Sequence, residues 1–318
     1  MLTLAAAFGE RLRYNVPMSE HTTLGIGGPS RAMVLVATPE ELVETVRVAE
    51  ASDLPYIVVG GGSNLLVSDQ GVDRLVVKNE IVGIRAEGDV VSVYSGTRLQ
   101  EMVDYTLANG WQGMQRLTGI PGTVGGAVYG NAGAYGQVIS DFLEEVVCFD
   151  GRQVVTLAKS ECHFAYRHSA FKENRFAILE ARFRLERGDS AALTAESQGV
   201  LAQRLVKYPV GLKCPGSFFK NVLASKVSPE SLQLIPPERI LYGKIPAGYL
   251  LEQVGARGQA LGGIQISPSN ANLFMNVGGG RAEELVQLAA EFAGRVRDRY
   301  GIRLEPEVQL INLPPLLP

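Results

Sequence analysis

Short apolar runs rich in Val and Ile alternate with amphipathic segments along the first part of the chain. Such runs predict buried strands, and they lie at 32–36, 55–59, 65–67, 75–77, 82–84, 90–94, 145–149, 153–157 and 177–185. Thr38, followed by Pro and two Glu, predicts a helix start, because Thr caps helices and Pro is favoured at their first position. Leu42, Val46 and Ala49 give that helix one apolar stripe. The pattern predicts a β-α-β unit ending at residue 59.

The second half of the chain is less regular. Polar residues at 187–197 predict a domain boundary, and the four prolines within 224–246 predict a long loop. Apolar periodicity predicts helices at 248–254 and 283–300, and strands at 262–267 and 304–311.

Three consecutive glycines and two short polar residues, Gly60–Asn64, follow the β-α-β unit directly. Glycines let the backbone approach a ligand closely, and successive N–H groups in such a turn cradle an anion. No Walker lysine follows, and the next run, Leu65–Val67, reads as a strand rather than a helix. We interpret the segment as a pyrophosphate-binding turn. The alternative is a tight turn between two strands.

Glycine-rich segments recur at 22–29 and 117–136, which suggests a large phosphate-bearing cofactor lying along the backbone. For Gly125 and Gly126, the sequence leaves helix packing and close approach of a cofactor equally open.

Composition narrows the class of protein. The chain has 318 residues, 46% apolar and 20% charged, with a net charge of −3, which is typical of a globular protein with a full core. Interspersed acids and bases argue against nucleic acid as a partner. No apolar run is long enough to span a bilayer, and the N-terminus lacks the pattern of a secretion signal, so we expect a cytosolic protein. Three distant cysteines and three histidines show no metal-ligand spacing.

Polar side chains concentrate in three later segments. Arg167, beside Tyr166, suits a bidentate clamp on a carboxylate, with a structural ion pair or a solvated loop as the equal alternative. Ser217 precedes two aromatic residues but has no triad partners, so we interpret it as a hydrogen-bonding or proton-donating serine rather than a nucleophile. Glu305 and Glu307 lie two apart on the predicted last strand, either at a functional site or exposed at an edge.

Taken together, these segments resemble the MurB family of UDP-N-acetylenolpyruvoylglucosamine reductases, in order and over nearly the whole chain. The resemblance is carried by Thr23–Gly28, Gly60–Val67, Gly119–Gly126, Asn131–Gly136, Tyr166–Lys172, Gly216–Asn221 and Leu304–Val308. The glycine segments alone are typical of any FAD domain of the vanillyl-alcohol-oxidase type. The three later segments make the resemblance specific.

The resemblance implies an α+β fold with a two-part FAD-binding region of the vanillyl-alcohol-oxidase (PCMH) type and a C-terminal α+β substrate domain. It implies FAD-binding subdomains at 1–70, joined by a C-terminal strand near 303–312, and at 71–188, and a substrate-binding domain at 198–302. The implied reaction uses NADPH to reduce FAD, which then reduces the enolpyruvyl group of a UDP-sugar to UDP-N-acetylmuramate for peptidoglycan.

The resemblance also implies a role for each matching residue. Ser217 would protonate the enol carbon, and Arg167 and Glu307 would stabilise the developing enol. Tyr166, Lys220 and Asn221 would hold the substrate. The implied FAD-binding residues are Gly60, Gly61, Gly62, Ser63, Asn64, Leu65, Gly119, Pro121, Gly122, Thr123, Gly126, Asn131, Gly133 and Ala134.

Three features depart from the family pattern. Asn270 stands where the family usually has His, Val222 stands where it usually has Pro, and 224–246 reads as an insertion. The stretch from Phe171 to Ser217 is short, which places the chain with the subtype lacking a tyrosine-bearing substrate loop. Two other hypotheses stay open: another FAD oxidoreductase of the same fold, and a flavin- or nucleotide-binding protein without catalysis.

Overall fold

The computed structural model describes residues 4–316, which divide into two compact units. The first unit comprises the chain up to Val16, Ser30–Gly62 and Asp73–Pro209. The second comprises Pro17–Pro29, Ser63–Val72 and the chain from Val210 onward. The finer division into three domains stays a prediction, and the first three residues of its 1–70 subdomain lie outside the described part.

Both units combine helices and strands. The helices are α1 Leu4–Phe8, α2 Pro39–Ala51, α3 Leu99–Ala108, α4 Val124–Gly130, α5 Ser190–Lys207, α6 Pro229–Gln233, α7 Ala247–Gln253 and α8 Ala282–Tyr300. The first ten strands are β1 Leu12–Pro17, β2 Pro29–Val36, β3 Tyr56–Val59, β4 Leu65–Val67, β5 Val72–Asn79, β6 Ile84–Glu87, β7 Val90–Tyr94, β8 Trp111–Gln112, β9 Gly133–Ala134 and β10 Gln137–Val138. The others are β11 Leu143–Phe149, β12 Val154–Ala158, β13 Ala177–Arg184, β14 Glu186–Arg187, β15 Val222–Leu223, β16 Lys244–Ile245, β17 Ala260–Leu261, β18 Ile264–Ile266, β19 Phe274–Asn276 and β20 Gln309–Ile311.

Two large sheets and two small two-stranded sheets, β10-β9 and β14-β8, lie in the first unit. One large sheet has the order β1-β2-β5-β3, with β3 and β5 parallel, and the other is antiparallel with the order β12-β11-β13-β7-β6. The predicted stripe on α2 is buried in the core of the first sheet, and α3 and α4 pack into the core of the second. Thr38 caps α2 as predicted, since its side chain accepts a hydrogen bond from the Glu41 N–H at 3.2 Å.

The second unit is built around α8. Leu285, Leu288, Phe292 and Val296 are buried on one face of this helix, as predicted, and Gly301 ends it in a left-handed conformation with φ 67°. The rings of Phe218, Phe219 and Phe274 lie in the same core, with centroids 4.9–6.1 Å apart. Strand β4 pairs in parallel with β20, so the residues after the glycine turn join the C-terminal strand.

Three local predictions are wrong in part. The predicted loop at 224–246 contains α6, two turns of 3-10 helix and β16. The predicted last strand, 304–311, is limited to Gln309–Ile311, because the residues before it pair with a different segment: Pro306 forms an isolated antiparallel bridge with Phe219. The predicted strand at 82–84 begins only at Ile84, after Gly83 at φ 152°. Within residues 4–316, no helix is both long and apolar enough to cross a bilayer.

Candidate functional site

Two of the predicted glycine turns meet in the first unit. A Cβ atom added to Gly61 would lie 2.9 Å from the Cα of Gly122, and one added to Gly60 would lie 2.4 Å from the Thr123 hydroxyl. Both distances are below those that real Cβ atoms show, so only bare backbone fits here. The sequence predicted both turns as cofactor sites, but it carried no signal that they lie against each other.

The second turn is fixed by its neighbours. Gly119 and Gly122 have φ of 71° and 111°, which lie in the region that favours glycine, and Pro121 lies between them. The Gly122 carbonyl accepts from the Leu99 N–H at 3.0 Å, and the Thr123 hydroxyl accepts from the Gly126 N–H at 3.3 Å. The turn is therefore anchored on the start of α3 and caps α4.

Gly125 and Gly126, in the first turn of α4, have different surroundings. A Cβ on Gly125 would lie 2.8 Å from the Ser95 Cβ and 2.9 Å from the Ser95 carbonyl oxygen, so Gly125 permits helix packing. Gly126 is exposed, and its added Cβ would meet only the Thr123 hydroxyl at 3.5 Å, an ordinary contact. Of the pair, Gly126 alone keeps a face open to a ligand.

Arg167 lies against the segment that ends α4. Its guanidinium donates from Nη2 to the Gly133 carbonyl at 3.2 Å and lies 5.5 Å from the centre of the Tyr166 ring. Its backbone has a left-handed φ of 56°, and the Lys172 ammonium donates to its carbonyl at 2.9 Å. The structure thus brings the predicted catalytic arginine to the predicted cofactor segment.

Asn131 carries an unusual polar atom in the same segment. It caps α4 at φ 44°, is 4% exposed, and donates from Nδ2 to the Ala165 carbonyl at 3.0 Å. Its buried Oδ1 has no hydrogen-bond partner within the described residues. A buried acceptor of this kind favours a donor from a bound ligand. Gly133 and Ala134 follow it as β9.

In the second unit, Ser217 heads a segment that is held by a buried amide. Asn272 accepts from the Phe219 N–H at 2.8 Å and donates to the Phe219 carbonyl at 2.8 Å. The Phe218 N–H donates to the Asn272 carbonyl at 2.9 Å. Sequence reasoning missed Asn272. An Asn between two strands has no pattern that distinguishes a residue holding a neighbouring segment from a turn residue.

Glu307 lies beside the Ser217 segment. Its N–H donates to the Phe218 carbonyl at 2.8 Å, and its carbonyl accepts from the Asn64 side chain at 3.0 Å. Asn64, which belongs to the second unit, therefore holds the Glu307 backbone through its side-chain amide. Glu305 and Glu307 both lie before β20, so the prediction that they stand on the last strand is wrong.

The predicted substrate-binding residues of this unit have structural contacts as well. The Lys220 ammonium lies 3.1 Å from Glu305, whose side chain is 71% exposed. The Asn221 side chain accepts from the Ala247 N–H at 3.1 Å, at the start of α7.

Comparison with known proteins gives matches over almost the whole chain. Residues 30–157 match the model of an FAD binding domain, and residues 208–311 match that of the UDP-N-acetylenolpyruvoylglucosamine reductase C-terminal domain. The reductase of that name from Solibacter usitatus is 40% identical over 299 residues, 94% of this chain and 96% of that protein. The chain belongs to the UDP-N-acetylenolpyruvoylglucosamine reductase family. The homologue from Geotalea uraniireducens is 34% identical over 98% of this chain and 97% of that protein.

A solved structure agrees with this family. The crystal structure of the reductase from Thermus caldophilus is 29% identical, covers 94% of this chain and 99% of that chain, and has a TM-score of 0.76. The predicted family, the α+β fold with an FAD-binding region and the FAD cofactor are confirmed by these matches. The roles of individual residues stay predictions.

The residues present fit an FAD. Bare backbone is needed where the paired turns meet, and the buried Asn131 Oδ1, without a partner within residues 4–316, is available to a donor of the bound cofactor.

Two of the departures from the family pattern can be located in the structure. Val222 takes part in β15 opposite Ile245, where Pro would remove an N–H. Asn270, in place of the usual His, accepts from the Asn272 N–H at 3.1 Å.

Proposed function

We propose that this chain reduces UDP-N-acetylglucosamine enolpyruvate to UDP-N-acetylmuramate, using FAD as the bound cofactor and NADPH as the reductant, in peptidoglycan precursor synthesis. One observation carries the proposal. Reductases of this name match 94–98% of the chain, and the match includes both the FAD-binding part and the reductase C-terminal part. A flavin-binding protein without catalysis would need only the first part.

The paired turns and the segment 131–134 are the residues that would hold FAD. Bound FAD supplies hydride transfer from NADPH to the enolpyruvyl group. The chain's own residues supply placement, charge and a proton. The fourteen residues implied by the family resemblance are proposed for the binding role, with Gly125 assigned to packing instead.

Arg167 is proposed to stabilise negative charge on the substrate carboxylate as hydride adds to the double bond. Its guanidinium is held by the Gly133 carbonyl at 3.2 Å and by the fixed left-handed backbone. A preorganised cation of this kind stabilises developing charge without rearranging. Tyr166, against which the guanidinium lies, is proposed to contact the substrate.

Ser217 is proposed to give its hydroxyl proton to the carbon that becomes carbanion-like, since a weakly acidic hydroxyl donates only to a strongly basic centre. Glu307 is proposed to hydrogen-bond the enol from the adjacent segment, whose backbone is joined to that of Phe218 at 2.8 Å. Lys220 and Asn221, which follow on the same segment, are proposed to hold the substrate.

Replacing Ser217 tests the proposal. The Ser217→Ala variant, purified with FAD, is expected to be reduced by NADPH at the wild-type rate, as measured by flavin absorbance, but to lose substrate reduction by at least about a hundredfold, the scale of general acid catalysis. Ser225→Ala, at an exposed serine of the same unit, is the matched control and should keep wild-type turnover.

Three outcomes contradict the proposal at different points. Near-normal turnover in Ser217→Ala would remove the assigned proton donor. A wild-type protein that consumes NADPH but ignores the enolpyruvyl UDP-sugar would be another FAD oxidoreductase. A colourless wild-type protein that rebinds no FAD would exclude both enzymatic hypotheses.

A further inference from the structure

Lys78 lies directly beneath the first glycine turn. It belongs to β5, opposite Val59 in the parallel pair with β3, and the turn begins one residue after Val59. The Lys78 ammonium donates a hydrogen bond to the Gly60 carbonyl. The sequence pattern gave no reason to single out this residue, because Lys at a strand end is ordinarily exposed, whereas Lys78 is partly buried.

This contact orients the peptide that joins Gly60 and Gly61. In a trans peptide the carbonyl and the following N–H point in opposite directions. Because the Gly60 carbonyl is directed at Lys78, the Gly61 N–H is directed away from it. Gly61 also lies against Gly122, where an added Cβ would be only 2.9 Å from the Gly122 Cα. Lys78 therefore sets the direction of one amide in the paired turns.

In the part of the chain described, no carboxylate lies in direct ion-pair contact with the Lys78 ammonium. Its one hydrogen bond goes to the Gly60 carbonyl, and it forms no ion pair within residues 4–316. Burial lowers the pKa of Lys78, Glu80 raises it and Arg98 lowers it further. The backbone of Arg98 pairs with Thr123 in the second turn. A basic residue therefore lies next to each turn, Lys78 at the first and Arg98 at the second.

We propose that Lys78 is a positioning residue for the diphosphate of FAD: it orients the Gly60–Gly61 peptide and places a positive charge, not held in a direct ion pair within residues 4–316, behind the paired turns. The inference rests on the proposed function only in its choice of FAD as the ligand. Backbone amides carry partial charges, and a nearby full charge strengthens the attraction of such a cradle for a dianion.

The experiment measures FAD binding to flavin-free protein rather than turnover. Wild type, Lys78→Met and Lys78→Arg are stripped of flavin and titrated with FAD by fluorescence, at low and high salt, and the melting temperature of each apoprotein is recorded. Lys78→Met should bind FAD about tenfold more weakly, the scale of one charge-assisted hydrogen bond. Its affinity should also depend less on salt, because a screened attraction has been removed. Lys78→Arg should restore most of the affinity.

Lys159→Met is the matched control. The Lys159 ammonium also donates to a backbone carbonyl, that of Asp141 at 3.1 Å, and this variant should bind FAD like wild type. The inference is overturned if Lys78→Met binds FAD as wild type does, if Lys78→Arg is as weak as Lys78→Met, or if the apoprotein of Lys78→Met melts early enough to account for the loss. Wild type that fails to bind FAD would instead contradict the proposed function.

Discussion

The two units build their functional segments in opposite ways. In the first unit, the turns at Gly60–Gly62 and Gly119–Thr123 approach each other because they lack side chains. In the second unit, the segments of Ser217 and Glu307 are placed by side chains, the amides of Asn272 and Asn64. Adding a Cβ atom to a glycine disrupts the first arrangement, and removing a side-chain amide disrupts the second.

This difference follows from what each segment is proposed to bind. A diphosphate cradle needs backbone N–H groups close to the ligand, and only glycine brings them there. A proton donor and a carboxylate act through their own side chains, and here their backbones are held by the side chains of other residues. Substitutions that are mild in one unit should therefore be severe in the other.

The largest effect is expected from Asn272→Ala. This change leaves the buried N–H and carbonyl of Phe219 without partners, at a cost of about 2–4 kcal/mol in the free energy of unfolding. Urea denaturation of flavin-free protein measures the loss, and turnover should fall with it because Ser217 begins the same segment. Asn109→Ala removes an exposed amide with one bond, to the Tyr105 carbonyl, and should change stability by less than about 0.5 kcal/mol.

If Asn272→Ala unfolds at the same urea concentration as Asn109→Ala, the amide does not hold the segment. The contrast between the two units would then be lost, because the second unit would position Ser217 through backbone contacts alone.

A smaller effect is expected from Gly61→Ala in the first unit. The added methyl group would lie 2.9 Å from a backbone atom of Gly122, so the turns must move apart, at about 1–3 kcal/mol. FAD affinity is measured by titration of the apoprotein. The loss in the free energy of FAD binding should exceed the loss in the free energy of unfolding. Gly199→Ala, in α5 with nothing within 4 Å of its added Cβ, should instead stabilise by up to about 1 kcal/mol. Unchanged FAD affinity in Gly61→Ala would show that the spacing of the turns does not matter.

The sequence predicted each glycine turn, the cap and stripe of α2, and the helix α8, because these follow from local spacing of residues. It did not predict that Gly61 meets Gly122, or that Lys78 meets Gly60, since pairing of distant segments leaves no trace in one sequence. It predicted Ser217 and Glu307 through a resemblance but missed Asn272, whose role depends on a buried contact 53 residues away. It made the last strand too long, because Pro306 pairs with Phe219 whereas Gln309–Ile311 pair with β4, and one sequence does not show this change of partner.

The smallest effect on folding is expected from Gly126→Ala. This variant tests the contrast between Gly125 and Gly126 within α4. Gly126 is exposed in α4 and an added Cβ meets only the Thr123 hydroxyl at 3.5 Å, so the apoprotein should be as stable as wild type or up to about 1 kcal/mol more stable. FAD affinity should nevertheless fall severalfold, because the methyl group occupies the face proposed to approach the cofactor. Melting temperature and FAD titration of the same apoprotein separate the two effects. A variant that gains stability and binds FAD like wild type would remove Gly126 from the cofactor site, leaving neither Gly125 nor Gly126 with a binding role.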